Sequence, residues 1–138
     1  MPIAAGPFDV QRTAEPPYHS EDGVVLTRSH FDKRFHGPLD ATGSVEMIAA
    51  GTGVRGSAGY VAIEHIRGTL DGRAGGFVLM HTGVMNRGAP SLTVTVVPDS
   101  GTGELTGLRG QMAIDIVEGK HLYRLDYTLD TPPASSAI

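Results

Sequence analysis

Asp71-Gly72 lies between two segments that alternate like β-strands, and this pair constrains the fold more than any other feature of the chain. Asp-Gly suits the two-residue hairpin turn, whose central positions both need positive φ. Such a turn pairs positions whose numbers sum to an odd value, and side chains alternate along a strand with period 2. Glu64 and His81 therefore fall on one face of one hairpin, as cross-strand or diagonal neighbours close enough to interact. A carboxylate and an imidazole brought together in this way form a candidate acid/base pair.

The 138 residues suffice for one domain around one core. Residues 1–7 and 131–138 read as tails. The first of these lacks a basic segment followed by an apolar run, and no stretch approaches the ~20 apolar residues of a membrane-spanning helix. The expectation is a cytoplasmic, single-domain chain without a membrane partner. The 15 acidic residues outnumber 11 Lys and Arg, for a net charge of −4. That balance argues against a nucleic-acid partner, which needs a basic face. Cysteine is absent, which removes disulfides, thiolate nucleophiles and thiolate metal sites together. The six histidines show no His-x-His or His-Glu-x-x-His spacing, so neither a metal nor another cofactor is expected.

No segment keeps the apolar stripe of an amphipathic helix behind a cap. Strand signals recur instead, over Phe8–Arg12, Val24–Phe35, Ser44–Ala50, Ala58–Leu70, Ala74–Asn86, Ser91–Val97, Glu104–Val117 and His121–Leu129. Many of the 19 glycines fall between these runs. A turn at Glu118-Gly119 sets Ile116 against His121, Ile114 against Tyr123, Met112 against Leu125 and Gly110 against Tyr127. That face is apolar and aromatic, and the other is mostly polar, as in a sheet with one buried side. In the middle hairpin the Glu64/His81 face also carries Tyr60, Ala62, Ile66, Phe77 and Leu79. A turn at Arg87-Gly88 adds Leu92, Val94 and Val96. The opposite face, with Val61, Ile63, Met80 and Val84, is apolar too, which suggests a second subunit covering it and hence a homo-oligomer, a dimer or higher. Eight antiparallel strands in meander order, with no helix to cover them, predict an all-β fold: a closed eight-stranded barrel, with a sandwich as the alternative.

Glu64 lies in the apolar run Tyr-Val-Ala-Ile-Glu-His-Ile. A buried carboxylate is costly unless it is paired, so it serves either as a proton-transfer group or as an anchor between strands. His81, after Phe-Val-Leu-Met, is either its catalytic partner or a satisfied core histidine. Lys33 shares the phase of Val25, Phe31 and Phe35. That phase sends it into the lumen toward Glu64, although a surface lysine lying along the barrel by its stem fits equally well. His121, Tyr123 and Tyr127 share one face of the last strand, as substrate contacts or as large core fillers. Tyr60, Phe77 and Met112 complete the candidate ligand-binding set. Gly-Thr-Gly-Glu-Leu-Thr-Gly at 101–107 has no following Gly-Lys-Ser/Thr and no helix, so it is no phosphate loop. It reads as the bulged start of a strand.

Three segments carry a family resemblance: Gly59-Tyr60-Val61-Ala62-Ile63-Glu64 with Gly68 to His81, Val97-Pro98-Asp99-Ser100-Gly101-Thr102-Gly103-Glu104-Leu105, and His121-Leu122-Tyr123 with Asp126-Tyr127. Over roughly Phe8 to Leu129 the chain resembles a bacterial family of unknown function whose small β-barrels are similar in fold to plant allene oxide cyclase. The resemblance implies a closed antiparallel barrel and oligomers. The cyclases it brings in work without metal or redox cofactor, holding a flexible apolar substrate in one conformation. It assigns no catalytic position in this chain, since shared fold is not shared activity.

The expected function is a cofactor-independent isomerase or cyclase acting on a small, largely apolar molecule in the lumen. Glu64 and His81 supply the acid/base chemistry. A carrier or sensor that binds a small hydrophobic ligand without chemistry is the alternative.

Overall fold

The computed structural model describes residues 2–129. Nine strands form one antiparallel sheet: β1 (Ile3–Ala14), β2 (His19–Glu21), β3 (Val24–Phe35), β4 (Leu39–Gly51), β5 (Ala58–Leu70), β6 (Arg73–Asn86), β7 (Ala89–Val96), β8 (Leu108–Val117) and β9 (Lys120–Leu129). From β3 to β9 each strand pairs with the next in sequence. The first half of β1 pairs with β9 and its second half with β3, which closes the sheet. The short β2 pairs with β3 beyond the end of β1, so both occupy one lane of an eight-stranded barrel. Pairing of β1 with both β3 and β9 covers the two outer edges of the sheet.

Four two-residue turns set the register. Asp22-Gly23, Asp71-Gly72, Arg87-Gly88 and Glu118-Gly119 all have positive φ at both positions, the backbone of the type I′ turn that matches strand twist. The pairings expected around residues 71–72, 87–88 and 118–119 are observed, among them Ala62 with His81, Gly83 with Leu92 and Ile114 with Tyr123.

Two stretches differ from expectation. Residues 3–7 belong to β1 rather than to a tail, because they pair with β9 from Ile3–Asp126 to Pro7–Leu122. Their small, weakly patterned side chains hide a strand whose order comes from its neighbour. The expected tail at 131–138 lies outside the described residues. The second difference is at Glu104, where no strand begins: Gly103–Leu105 form a single 3₁₀ turn and β8 starts at Leu108. The preceding segment runs along β6 and satisfies its backbone with side chains. Thr102 Oγ1 accepts from the Gly76 amide, Ser100 Oγ from Val78 and Glu104 from Ala74, each at 3.0 Å. Strand β7 consequently pairs with β8 only at Thr95–Gln111.

The interior is filled unevenly. At one end Phe35, Leu39, Leu70, Phe77, Leu108 and Tyr123 are buried against one another, forming a packed floor. At the other end the inward positions are small, with Thr27, Ala49, Gly51, Ala58 and Gly83. Side chains of that size cannot fill an eight-stranded barrel, and the lumen there is hollow.

Candidate functional site

The deepest polar group of the lumen is Glu64, fully buried on β5. It sits diagonally from His81, since Glu64 pairs with Leu79 and Ala62 with His81. Glu64 Oε1 lies 2.7 Å from His81 Nε2. The same oxygen accepts a hydrogen bond from Lys33 Nζ at 3.1 Å. Lys33 stands two strands away, across β4, and the residue between them is Gly43. A methyl group at 43 would come within 2.5 Å of Glu64 Oε2, so glycine is what opens the path from Lys33 to the carboxylate. Oε2 itself is buried without a hydrogen-bond partner.

Lys33 projects among aromatic rings. Its ammonium is 5.0 Å from the centre of Phe8 and 5.8 Å from that of Phe35, within the range of cation–π attraction. Phe8 also stacks at a tilt against His121, with centres 5.2 Å apart. Lys33, His81 and His121 line a cavity of about 180 Å³ together with Phe8, Val10, Val45 and Ile114. Glu64 does not line it: the carboxylate lies behind, in contact with the lysine and the imidazole that do. Among the described residues His81 Nδ1 has no hydrogen bond, which leaves it as the nitrogen free to meet a bound molecule.

Above this cavity lies a larger chamber of about 540 Å³, lined by Val25, Thr27, Ala49, Gly83, Met85 and Leu92 among others. Met47 and Tyr60 line both spaces and mark the passage between them. The Tyr60 ring lies over Gly83, where an added methyl would come within 2.1 Å of it. Burial raises the Tyr60 hydroxyl above its ordinary pKa. The lumen is thus an apolar vestibule leading to a small chamber with a polar wall.

The structure brings together Lys33, Tyr60, Glu64, His81 and His121 from the residues singled out in the sequence. Phe77, Met112, Tyr123 and Tyr127 lie elsewhere, in the packed part of the core. The Tyr123 hydroxyl accepts from the Leu39 amide at 3.0 Å and donates to the His36 carbonyl at 2.7 Å, pinning the connection between β3 and β4. Tyr127 donates to Asp71 at the turn. Burial and that hydrogen bond together push its hydroxyl up to about 12. Sequence reasoning missed Gly43, Met47 and Phe8. The first two share the alternation phase of Val45 on β4, a signal that was present. Phe8 becomes an inward residue only through its pairing with Phe35 and His121.

Residues 4–127 match the model of a family described as a protein of unknown function, DUF3224. The chain belongs to the DUF3224 family. A crystal structure of another DUF3224 protein, of unknown function and from Shewanella oneidensis MR-1, is similar to it at 48% identity with a TM-score of 0.90. The similarity covers 95% of this chain and 99% of that one. Among curated proteins none matches the sequence. The DUF3224 barrel described here contains no helix long and apolar enough to cross a membrane among its described residues.

Proposed function

We propose that the chain is a small-molecule enzyme of isomerase or cyclase type, acting on a largely apolar substrate in the lumen through its own acid/base groups. The observation that carries this reading is the imidazole of His81, held by a buried carboxylate and facing a cavity at the end of an apolar vestibule. Glu64 fixes the ring through Nε2 and stabilises the imidazolium that forms when Nδ1 takes a proton. The proton returns at a different carbon, which is an isomerisation. Lys33 marks the polar end and orients the substrate's polar group. Tyr60 guards the passage and the apolar walls enforce a compact pose. In this arrangement Glu64 is the positioning residue and His81 the proton carrier, a sharper division than the sequence supports.

A direct test follows α-proton exchange of a β,γ-unsaturated alicyclic ketone in deuterated water by NMR. The wild-type chain accelerates exchange and double-bond migration, and His81→Gln abolishes both. Rates equal to buffer, or an unaltered His81→Gln variant, contradict the proposal. The carrier alternative draws on the same cavities and gives saturable binding of the ketone without exchange.

We further propose that the outer face of β4–β6 meets a second copy of the chain. Ile48, Val61, Ile63, Met80 and Val84 are each about half exposed there. The register makes them contiguous, and an apolar patch of this kind marks an interaction surface. The outward positions of β6 and β7 between residues 80 and 95 carry threonines and no charge. The apolar patch, with Glu46 beside Ile63 at its edge, can be buried against the same patch of a second copy, which favours a like partner.

A further inference from the structure

We infer that Lys33 is a Schiff-base lysine and that the substrate class of this site is an apolar aldehyde or ketone. The inference rests on the reading that the lumen admits a ligand, and it adds the functional group by which that ligand is held. Lys33 is a primary amine on the wall of a cavity whose other lining is mostly apolar apart from His81, His121 and Tyr60, its side chain 9% exposed. Amines in such surroundings condense with carbonyl compounds when a neighbouring group manages the protons. Here the neighbour is Glu64, 3.1 Å from Nζ, with a second oxygen that has no partner.

The proton balance closes within the site. The ammonium gives a proton to Glu64 and the free amine attacks the carbonyl carbon; the C–N bond forms as the C=O π pair moves to oxygen, and a proton passes from nitrogen to that oxygen to give the carbinolamine. Glu64 returns the proton to the carbinolamine hydroxyl, the C–O bond breaks and water leaves. The product is an iminium whose positive charge replaces that of the ammonium, with the Glu64 carboxylate restored beside it as counter-ion. No oxidant, reductant or metal enters the sequence. The iminium withdraws electrons from the adjacent carbon, and His81, bonded to the same carboxylate oxygen as Lys33, is positioned to take the proton that this acidifies. The vestibule of about 540 Å³ receives the apolar remainder of the molecule.

The sequence supplies an internal control. It contains two lysines, Lys33 and Lys120, and Lys120 is exposed at the start of β9. Octanal is added to the full chain with sodium cyanoborohydride, which reduces an iminium to a stable secondary amine. Peptide mapping by mass spectrometry then gives the initial rate at each lysine. Binding is checked separately by the melting temperature in octan-1-ol, which cannot condense but shares the tail. The expected result is reduction at Lys33 at least about tenfold faster than at Lys120, as positioning of the aldehyde in the lumen predicts. Glu64→Gln should lower the Lys33 rate and leave Lys120 unchanged. An unlabelled Lys33, or one labelled no faster than Lys120, overturns the inference. If octan-1-ol still raises the melting temperature in that case, ligand binding stands and only the Schiff base falls. If it does not, both fall.

Discussion

Lys33 reaches Glu64 across an intervening strand because that strand carries glycine at position 43. Two charges on β3 and β5 meet over a gap in the side-chain layer of β4. The contact places the cation in the wall of a small cavity with the carboxylate behind it, and the carboxylate also bonds His81.

Gly43→Ala closes that gap. The added methyl group meets Glu64 Oε2 and the Phe35 ring edge, so the carboxylate must swing away from its partners. Overpacking of this kind costs about 1–3 kcal/mol. Calorimetry should show a lower melting temperature in a chain that remains folded. An unchanged melting temperature would mean that Glu64 has room the structure does not show.

Glu64→Gln leaves the Lys33 ammonium buried without its counter-charge. Removing one member of a buried pair costs on the order of 3 kcal/mol, whereas replacing both by neutral groups is close to neutral. The single variant should therefore unfold at markedly lower denaturant, and Lys33→Met/Glu64→Gln should recover most of the loss. A double variant no more stable than the single one would show that the ion pair is not the cause.

Three tyrosines tie stability to high pH. Burial raises the Tyr60, Tyr123 and Tyr127 hydroxyls, and the bond to Asp71 adds to the effect at Tyr127, which reaches about 12. A phenol whose folded pKa exceeds its unfolded value near 10 is held in its protonated form by the fold. Its contribution is fully present below about pH 10 and is lost as pH rises through the folded value. Stability measured by equilibrium unfolding should fall between about pH 10 and 12, and Tyr127→Phe should flatten that decline. The same slope in the variant would remove Tyr127 from the explanation.

On the outer face, Val61→Lys with Met80→Glu puts charges into the apolar patch without touching the lumen. Sedimentation should show an oligomer for the wild-type chain and monomers for the variant. A wild-type chain that is monomeric at every concentration contradicts the proposed self-association.

Much of this architecture is legible in the sequence for a local reason. A two-residue X-Gly turn fixes register over a whole hairpin, so Asp71-Gly72 and Glu118-Gly119 determine which side chains face inward on four strands. The convergence of Glu64 and His81 follows from that count alone, and the phase of Lys33 agrees with it. What stayed hidden depends on contacts distant in sequence. Residues 3–7 carry weak signals because β9 imposes their conformation. The expected strand from Glu104 starts at Leu108 instead, because Ser100, Thr102 and Glu104 bond the β6 amides with their side chains rather than through a strand ladder. The division of the lumen into a packed floor and a hollow end depends on how inward residues from all strands stack. Tyr123 and Tyr127 share the inward phase of His121 yet lie in the floor, bonded to His36, Leu39 and Asp71.

The central claim is that the lumen, and not the outer surface, receives an apolar molecule at the Lys33–Glu64–His81 wall. Methyl-labelled methionine tests it directly, because Met47 lines both chambers while Met80 is on the outer face. On titration with octan-1-ol, the account predicts a saturable shift of the Met47 methyl resonance and of the His81 ring, with Met80 unmoved. A Met80 shift with Met47 and His81 unchanged, or no saturable shift at all, would contradict it.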